Sequence, residues 1–279
     1  MKLVLAGVPL GNPGDASARL ISAIKSASII AAEDSRRFQR LCHDLNVATD
    51  AKVLSFFEGN EDERTEQLLK ELQNGAEVLV VTDAGMPTVS DPGFKLVRAA
   101  VEAKINIEVI PGPSAVTTAL ALSGLPTDRF CFEGFAPRTQ GAREKFFENL
   151  KYEARTIVFF EAPHRLLETL ESAINILGAD RKAALCREMT KTYEETVRGT
   201  LGEIQSWANS KEILGEITIV IDGASEGAKE ISQHAIIEAV RKLEEVGMER
   251  KEAIAAVSKE LDLPKREVFD AMVAAKNLQ

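Results

Sequence analysis

The segment Asp83–Gly93 (DAGMPTVSDPG) holds the densest group of residues in the chain that could do chemistry. Its two glycines and two prolines predict an irregular backbone whose amide and carbonyl groups are open to a ligand, and Asp83 and Asp91 add carboxylates. The segment follows a short apolar run, Glu77–Val81, and precedes an amphipathic helix pattern that begins at Phe94. Because open α/β sheets bind ligands at the carboxyl ends of their strands, we predict that this loop forms part of a binding site.

The elements around this loop alternate between strands and helices from Lys2 to Gly112. Short apolar runs indicate strands at Leu3–Ala6, Ile29–Ala32, Val53–Phe56, Val78–Val81 and Ile107–Ile110. Amphipathic patterns indicate helices between them, at Ala18–Ala27, Arg37–Leu45, Glu63–Gln73 and Phe94–Ala103. A series of this kind predicts a mostly parallel sheet that is covered by helices on both faces.

A second series follows Pro111–Pro113 and a helix of small residues at Ser114–Ser123. Its strand candidates are Phe130–Phe135, Thr156–Phe160, Ala183–Cys186, Thr192–Thr200 and Ile217–Ile221. Its helix candidates are Ala142–Leu150, Arg165–Leu177 and Leu201–Asn209. Because no clear helix separates the two strands between residues 183 and 200, we expect an antiparallel portion and hence a mixed sheet.

The last part of the chain shows helix patterns but no strand patterns. Residues 223–229 are small and polar and indicate a linker; helix patterns then cover Ile231–Val246 and Lys251–Leu261, and a third begins at Leu263. These patterns resemble a helix-turn-helix, but we favour a small helical bundle with mixed surface charge. A slight excess of acidic residues argues against strong DNA binding. We expect three domains: an N-terminal α/β domain at 1–113, a C-terminal α/β domain at 114–224 and a helical tail at 228–279.

The composition limits the classes of protein to which the chain can belong. Its 279 residues suffice for about two domains with an ample core, and no apolar run has the length needed to span a bilayer. Three cysteines and three histidines, all scattered, argue against a disulfide framework or a metal site and fit a reducing cytoplasm. The net charge of −9 argues against a general nucleic-acid coat protein, but a local basic patch could still bind RNA.

Seven segments together resemble one known family in their order and spacing. They are Val8–Asp15, Ala32–Arg36, Asp83–Gly93, Ile110–Ala115, Phe132–Arg138, Glu161–Arg165 and Arg187–Lys191. In these segments the chain is similar to the ribosomal RNA small subunit methyltransferase I family, from about residue 2 to residue 222, and the tail resembles that family's helical C-terminal domain. The chain carries Pro13, Met86 and Thr88 where Leu, Thr and Gly are usual in the family, and Phe57–Glu61 lacks the histidines often found there.

The resemblance implies a two-domain, tetrapyrrole-methylase-like α/β fold (class III S-adenosylmethionine methyltransferase) with a small C-terminal helical domain. It also implies that the protein uses S-adenosyl-L-methionine to methylate the 2′-oxygen of a cytidine ribose in 16S rRNA, either free or within the small ribosomal subunit. A homodimer in the cytoplasm is implied as well. Two alternatives stay open: a small-molecule, tetrapyrrole-type methylase on the same fold, and a non-catalytic ribosome-assembly protein that binds RNA.

The resemblance also assigns cofactor contacts by motif. They are Leu10, Met86, Val89, Ser114, Ala115, Glu161 and Ile217, with Gly85 and Pro87 shaping the loop. S-adenosylmethionine carries no phosphate, and neither of the glycine-rich phosphate motifs, G-x-G-x-x-G or G-x-x-x-x-G-K, occurs in the chain. Backbone groups and apolar side chains at strand ends suit an adenine and a thioether stem.

A ribose hydroxyl is a poor nucleophile at neutral pH, so we expect a base or a cation beside it. Candidate bases are Asp34, Asp83, Glu161 and Glu188, and Lys191 could stabilise a developing alkoxide. We favour the group of Glu161, Glu188 and Lys191 for direct chemistry. The alternative is that these charges brace loops or bind the cofactor.

Basic residues near two of the motifs are candidates for binding RNA phosphates. They are Arg36, Arg138, Arg143 and Lys145. For the segment that contains Arg36, the alternative is a helix start with Asp34 or Ser35 as its cap and Arg37 on the solvated face. For the others, the alternative is an ordinary polar loop.

Overall fold

The computed structural model describes residues 2–224, 233–261 and 263–276. Contacts divide the chain into two compact units, Met1–Gly223 and Ala224–Gln279. The first unit contains two five-stranded sheets, one built from residues 2–110 and the other from residues 130–221. The three-domain division stays a prediction.

The first sheet is parallel throughout. Its strands are β1 (Lys2–Ala6), β2 (Ile29–Ala32), β3 (Lys52–Ser55), β4 (Glu77–Val81) and β5 (Ile107–Ile110), in the order β3-β2-β4-β1-β5. All four neighbouring pairs are parallel, which confirms the predicted mostly parallel sheet. β1 and β4 are buried almost completely, as expected of strands that are covered on both faces.

Helices cover both faces of this sheet. They are α1 (Ala18–Ser26), α2 (Ser35–Asp44), α3 (Glu61–Gln73) and α4 (Phe94–Glu102). Leu20 of α1 and Phe38 of α2 pack in one core, whereas Leu72 of α3 and Leu96 of α4 pack in another. The neighbouring strands β1 and β4 therefore lead to helices on opposite faces. A crevice opens between the carboxyl ends of two such strands, where doubly wound sheets bind ligands.

The second sheet is mixed, as predicted. Its elements, preceded by α5 (Ala115–Ser123), are β6 (Phe130–Phe135), α6 (Gln140–Leu150), β7 (Thr156–Glu161), α7 (Leu166–Leu177), β8 (Lys182–Arg187), β9 (Glu195–Thr200), α8 (Leu201–Asn209) and β10 (Ile217–Ile221). The order is β6-β7-β10-β8-β9; β6 and β7 are parallel and the other pairs are antiparallel. The first residue of β10 therefore pairs with the last residues of β7 and β8.

Several predicted boundaries differ from those in the structure by one to three residues, and two of these differences have a clear local cause. The strand predicted at Thr192–Thr200 begins only at Glu195, because residues 191–194 form a turn in which Glu194 N donates to Lys191 O at 3.1 Å. The helix predicted to start at Arg37 starts at Ser35, because the carboxylate of Asp34 accepts hydrogen bonds from two amides of the first turn. The predicted cap at Asp34 or Ser35 is thus confirmed for Asp34.

The described residues of the second unit form three helices, α9 (Gln233–Glu245), α10 (Arg250–Glu260) and α11 (Lys265–Lys276), around one apolar core. Ile236, Val257 and Met272, one from each helix, are almost completely buried there. The predicted helical tail is confirmed, and most of the predicted linker 223–229 lies outside the described residues. No helix in the described ranges is long and apolar enough to cross a membrane.

Candidate active site

A cavity of about 380 Å³ lies where the carboxyl ends of several strands of both sheets meet the amino end of β10. The loops after β1, β2 and β4 form one side of it, and α5, β6, β7, β10 and the loop after β8 form the other. Its lining includes Leu10, Glu33, Arg37, Asp83, Gly85, Met86, Val89, Asp91, Ser114, Ala115, Phe135, Phe160, Glu161, Met189, Glu216 and Ile217. The crevice that the topology of the first sheet indicates is therefore part of this cavity.

Most of the residues predicted to contact a cofactor line the cavity. These are Leu10, Gly85, Met86, Val89, Ser114, Ala115, Glu161 and Ile217. Pro87 is buried and is absent from the lining. The structure thus brings these residues together, and their contact with a cofactor stays a prediction.

The loop between β4 and α4 is held in an unusual backbone conformation. Gly85, which lines the cavity, pairs with Val8 through two backbone hydrogen bonds, at 2.9 and 3.2 Å. Gly85 has a φ of 74°, which favours glycine, and Thr88 has a φ of 76°, which strains a β-branched residue. Strained backbone at a cavity wall is typical of functional sites.

Four carboxylates of the lining form what we call the acidic wall: Glu33, Asp83, Asp91 and Glu216. Burial is the main cause that raises the pKa of Asp91 to about 7, and repulsion from the carboxylates of Glu33, Asp83 and Glu216 adds to it. Within the described residues, no N–H or O–H group donates to Asp91 and no cation pairs with it. Its carboxylate thus faces the cavity without a partner of opposite charge, which costs free energy when it is ionised.

Hydrogen bonds and an ion pair partly offset the negative charges of other members of the acidic wall. Asp83 accepts a hydrogen bond from Asp34 N at 3.2 Å and pairs with Arg37 Nε at 3.4 Å, and burial still raises its pKa. Burial likewise raises the pKa of Glu33, whose Oε2 accepts from Asp83 N at 3.1 Å. Arg37 is the one basic residue among the described residues of the lining, and it is already paired. The cavity therefore favours cations over anions.

Glu161 is buried at the end of β7 and is fully engaged. Its Oε1 accepts from Ala162 N and pairs with Arg165 Nη2, both at 2.6 Å, and its Oε2 accepts from Thr169 Oγ1 at 2.5 Å. Arg165 also donates to Ala136 O at 3.1 Å, so the pair fastens β6 to β7 beside the cavity. This arrangement suits a carboxylate that braces the cavity wall, the alternative to direct chemistry that the sequence left open.

Glu188 and Lys191 lie behind the acidic wall and do not line the cavity. Lys191 Nζ pairs with Glu188 Oε1 at 2.8 Å and with Glu216 Oε2 at 3.1 Å. Burial alone would raise the pKa of Glu188, but the hydrogen bonds from Lys191 and from Glu216 N hold it below its ordinary value. Of the three residues favoured for direct chemistry, only Glu161 therefore lines the cavity, and the catalytic roles of all three stay predictions.

The predicted RNA-binding residues fall into two groups. Arg36, Arg138 and Lys145 are exposed, whereas Arg143 is buried. The guanidinium of Arg143 donates to Ser172 Oγ at 3.3 Å, to Arg138 O at 3.1 Å and to Glu168 Oε2 at 3.1 Å. A phosphate contact would require Arg143 to leave all three partners, so in this structure it stabilises the α6–α7 packing instead.

Sequence reasoning assigned no role to several lining residues, among them Glu216, Phe135 and Phe160. Glu216 precedes a strand, and residues at that end line a site only when the strand runs antiparallel to its neighbours. The sequence indicated a mixed sheet but not which strands are reversed. Phe135 and Phe160 lie at strand ends, and their aromatic character at those positions was the available signal.

The comparisons with known proteins agree with this geometry. The family model of the Tetrapyrrole (Corrin/Porphyrin) Methylases matches residues 2–205. The Ribosomal RNA small subunit methyltransferase I of Mycobacterium bovis is 45% identical over 99% of this chain and 95% of that protein. The protein of the same name from Bacillus subtilis is 39% identical over 96% of this chain and 93% of that protein.

The solved structures show the same fold at low identity. The uroporphyrin-III C-methyl transferase from Thermus thermophilus complexed with S-adenyl homocysteine matches with a TM-score of 0.54 and 17% identity, over 79% of this chain and 96% of that one. These matches confirm the predicted fold class and the resemblance found in the seven segments. The chain belongs to the tetrapyrrole methylases and, within them, to the ribosomal RNA small subunit methyltransferase I family.

Proposed function

We propose that the protein is an S-adenosyl-L-methionine-dependent methyltransferase that methylates the 2′-oxygen of a cytidine ribose in 16S rRNA of the small ribosomal subunit. The observation that carries the proposal is the 45% identity over 99% of the chain to a ribosomal RNA small subunit methyltransferase I. Near-complete coverage matters because it includes the helical tail as well as the part that forms the cavity. The small-molecule alternative has no comparable support, since the matched solved structures of such enzymes share only the fold.

The chemistry of the cavity wall supports this cofactor. S-adenosylmethionine, when bound, supplies an activated methyl group on a sulfonium cation. The acidic wall, with the unpaired carboxylate of Asp91, suits the positive charges of such a ligand. Phosphate-bearing nucleotides suit it poorly, because the one basic residue in the described lining, Arg37, already pairs with Asp83. Leu10, Met86 and Val89 offer apolar contacts for its adenine and thioether stem.

Asp91 is the lining carboxylate best suited to accept the proton of the ribose hydroxyl. The oxygens of Glu161 are occupied by Arg165 and other donors, and Glu188 pairs with Lys191 outside the lining. Asp91 has no such donor within the described residues, and burial raises its pKa to about 7, near neutral pH. A general base of this kind contributes about 10²- to 10⁴-fold to a rate.

The RNA side of the proposal rests on exposed basic residues near the cavity. Arg36 follows β2, whose loop forms part of the lining, and Arg138 lies three residues after Phe135 in the lining. Lys145 lies on the exposed face of α6. A ribosomal substrate places the protein in the cytoplasm, and we retain a homodimer as part of the proposal, to be tested by sedimentation.

The proposal is tested with purified protein, labelled S-adenosylmethionine and small ribosomal subunits from a strain that lacks the corresponding gene. We expect transfer of label to 16S rRNA in the wild type, and cofactor binding by calorimetry in the micromolar range. Free 16S rRNA serves as the second substrate and decides whether the assembled subunit is needed. Cofactor binding without transfer to either RNA would contradict the rRNA assignment, and absence of binding at millimolar cofactor would leave only the ribosome-assembly alternative.

A further inference from the structure

A β-bulge next to the cavity redirects one aromatic side chain. In the pairing of β6 with β7, Phe132 lies opposite Val158 and Phe135 lies opposite Phe160, so β6 holds one residue more than β7 over this interval. Gly134 occupies the bulge with a φ of 69°, a conformation that glycine adopts without strain. The extra residue places Phe132 and Phe135, three positions apart, on the same face of the sheet.

Phe135 is held rigidly although its ring is exposed. Its ring packs edge-to-face against Phe160 with centroids 5.4 Å apart, and Phe160 packs in the same way against Phe132 at 4.9 Å. The next residue, Ala136, is buried and is fixed by hydrogen bonds to Phe160 O at 3.2 Å and from Arg165 at 3.1 Å. Despite these restraints Phe135 is 55% exposed, and it lines the cavity.

We infer that Phe135 is a stacking platform for the base of the target nucleotide, held at the cavity mouth by the bulge at Gly134. The inference rests on the proposed function, which brings a ribose into the cavity. The base is attached to that ribose and must leave its own stack for the ribose to enter, so it needs a new flat apolar partner. Aromatic side chains fulfil this role in proteins that bind single-stranded RNA.

The surroundings of Phe135 favour RNA as the occupant. The exposed Arg138 follows it after a short turn and could hold a phosphate of the same strand. Phe160, the other aromatic residue in the described lining, is less exposed, and its ring packs against that of Phe135. An exposed ring that is pre-ordered by its neighbours can stack on a base with little further loss of conformational freedom.

The test compares Phe135→Ala, Phe135→Leu and Phe135→Trp with the wild type. The control is Phe130→Ala, which removes another exposed phenylalanine of the same strand that does not line the cavity. Two measurements are made on each protein: binding of unmodified small ribosomal subunits to the cofactor-free protein, and binding of S-adenosylhomocysteine by calorimetry. Methyl transfer to the same subunits is measured in parallel.

Loss of one base stack weakens subunit binding about fivefold to 150-fold in Phe135→Ala and in Phe135→Leu. Phe135→Trp and Phe130→Ala stay within about threefold of the wild type, and S-adenosylhomocysteine binding is unchanged in all variants. Wild-type subunit binding by Phe135→Leu would overturn the inference and show that the ring only fills space. An equal loss of S-adenosylhomocysteine affinity would overturn it as well and show that the ring contacts the cofactor. Wild-type protein that binds and methylates no subunits would overturn the proposed function as well, whereas active wild type with an unaffected Phe135→Ala would overturn this inference alone.

Discussion

Replacing Asp91 with Asn should make the protein more stable and less active. The carboxylate of Asp91 is half-buried, faces Glu33, Asp83 and Glu216, and has no cation beside it within the described residues. Asn keeps the shape of the side chain and removes the charge. If Asp91 accepts the hydroxyl proton, the same change removes the proton acceptor.

The size of the effect follows from the pKa of Asp91, which rises from 3.8 to about 7 in the folded protein. Because the folded-state pKa lies above the unfolded-state value, the unfolded chain releases its proton first as the pH rises, and the free energy of unfolding falls between about pH 4 and pH 7. About three pH units correspond to about 4 kcal/mol. Water still reaches this half-buried group, so we halve the figure to about 2 kcal/mol.

The assay is thermal and urea unfolding of the wild type and Asp91→Asn at pH 4.5 and pH 8. We expect an advantage for Asp91→Asn of about 0.5 kcal/mol at pH 4.5, where the unfolded carboxyl is already largely ionised, and of about 2 kcal/mol at pH 8, or about 4–8 °C in melting temperature. Methyl transfer by the variant should fall about 10²-fold or more. Asp180→Asn, which neutralises an exposed carboxylate, is the control and should match the wild type at both pH values. Parallel pH profiles for Asp91→Asn and the wild type would refute the reasoning.

Four further substitutions test other parts of the account. Gly85→Val should abolish cofactor binding in calorimetry, because a β-branched residue at a φ of 74° is strained and would distort the loop that lines the cavity. Unchanged affinity would remove this loop from the site. Thr88→Gly should raise the free energy of unfolding by about 0.5–1 kcal/mol through relief of a positive φ, and a loss of stability would show that no strain is present. Arg143→Ala should lower the free energy of unfolding by about 3 kcal/mol, because it removes three hydrogen bonds of a buried guanidinium. Arg138→Ala should leave the free energy of unfolding unchanged and reduce the slope of log K for RNA binding against log salt concentration by about one. The reverse pattern would place Arg143 at the RNA surface.

The alternation of strands and helices could be predicted because it depends on local patterns. Continuous apolar runs such as Val78–Val81 mark strands that are buried on both faces, and Gly and Pro mark the loops after them. The place of the cavity at the carboxyl ends of these strands followed from the same patterns. Most of the cofactor contacts that the family resemblance assigned are among the residues that line it.

Features that depend on pairing between distant segments could not be predicted. Nothing in the local sequence shows that β10 runs antiparallel to both neighbours, which is what brings Glu216 to the cavity. The bulge at Gly134 depends on the register of β6 against β7. Arg143 occurs in a basic cluster, and only the packing of α6 against α7 shows that its guanidinium is buried and bonded. The positive φ of Thr88 opposes the local preference of a β-branched residue.

The identity of the methylated nucleoside tests the central claim most directly. Unmodified small ribosomal subunits are incubated with the protein and S-adenosylmethionine carrying a labelled methyl group, and the 16S rRNA is then digested to nucleosides for mass spectrometry. We predict a single labelled product, 2′-O-methylcytidine, absent when Gly85→Val replaces the wild type. Label on a base, on another nucleoside or on no RNA at all would contradict the account.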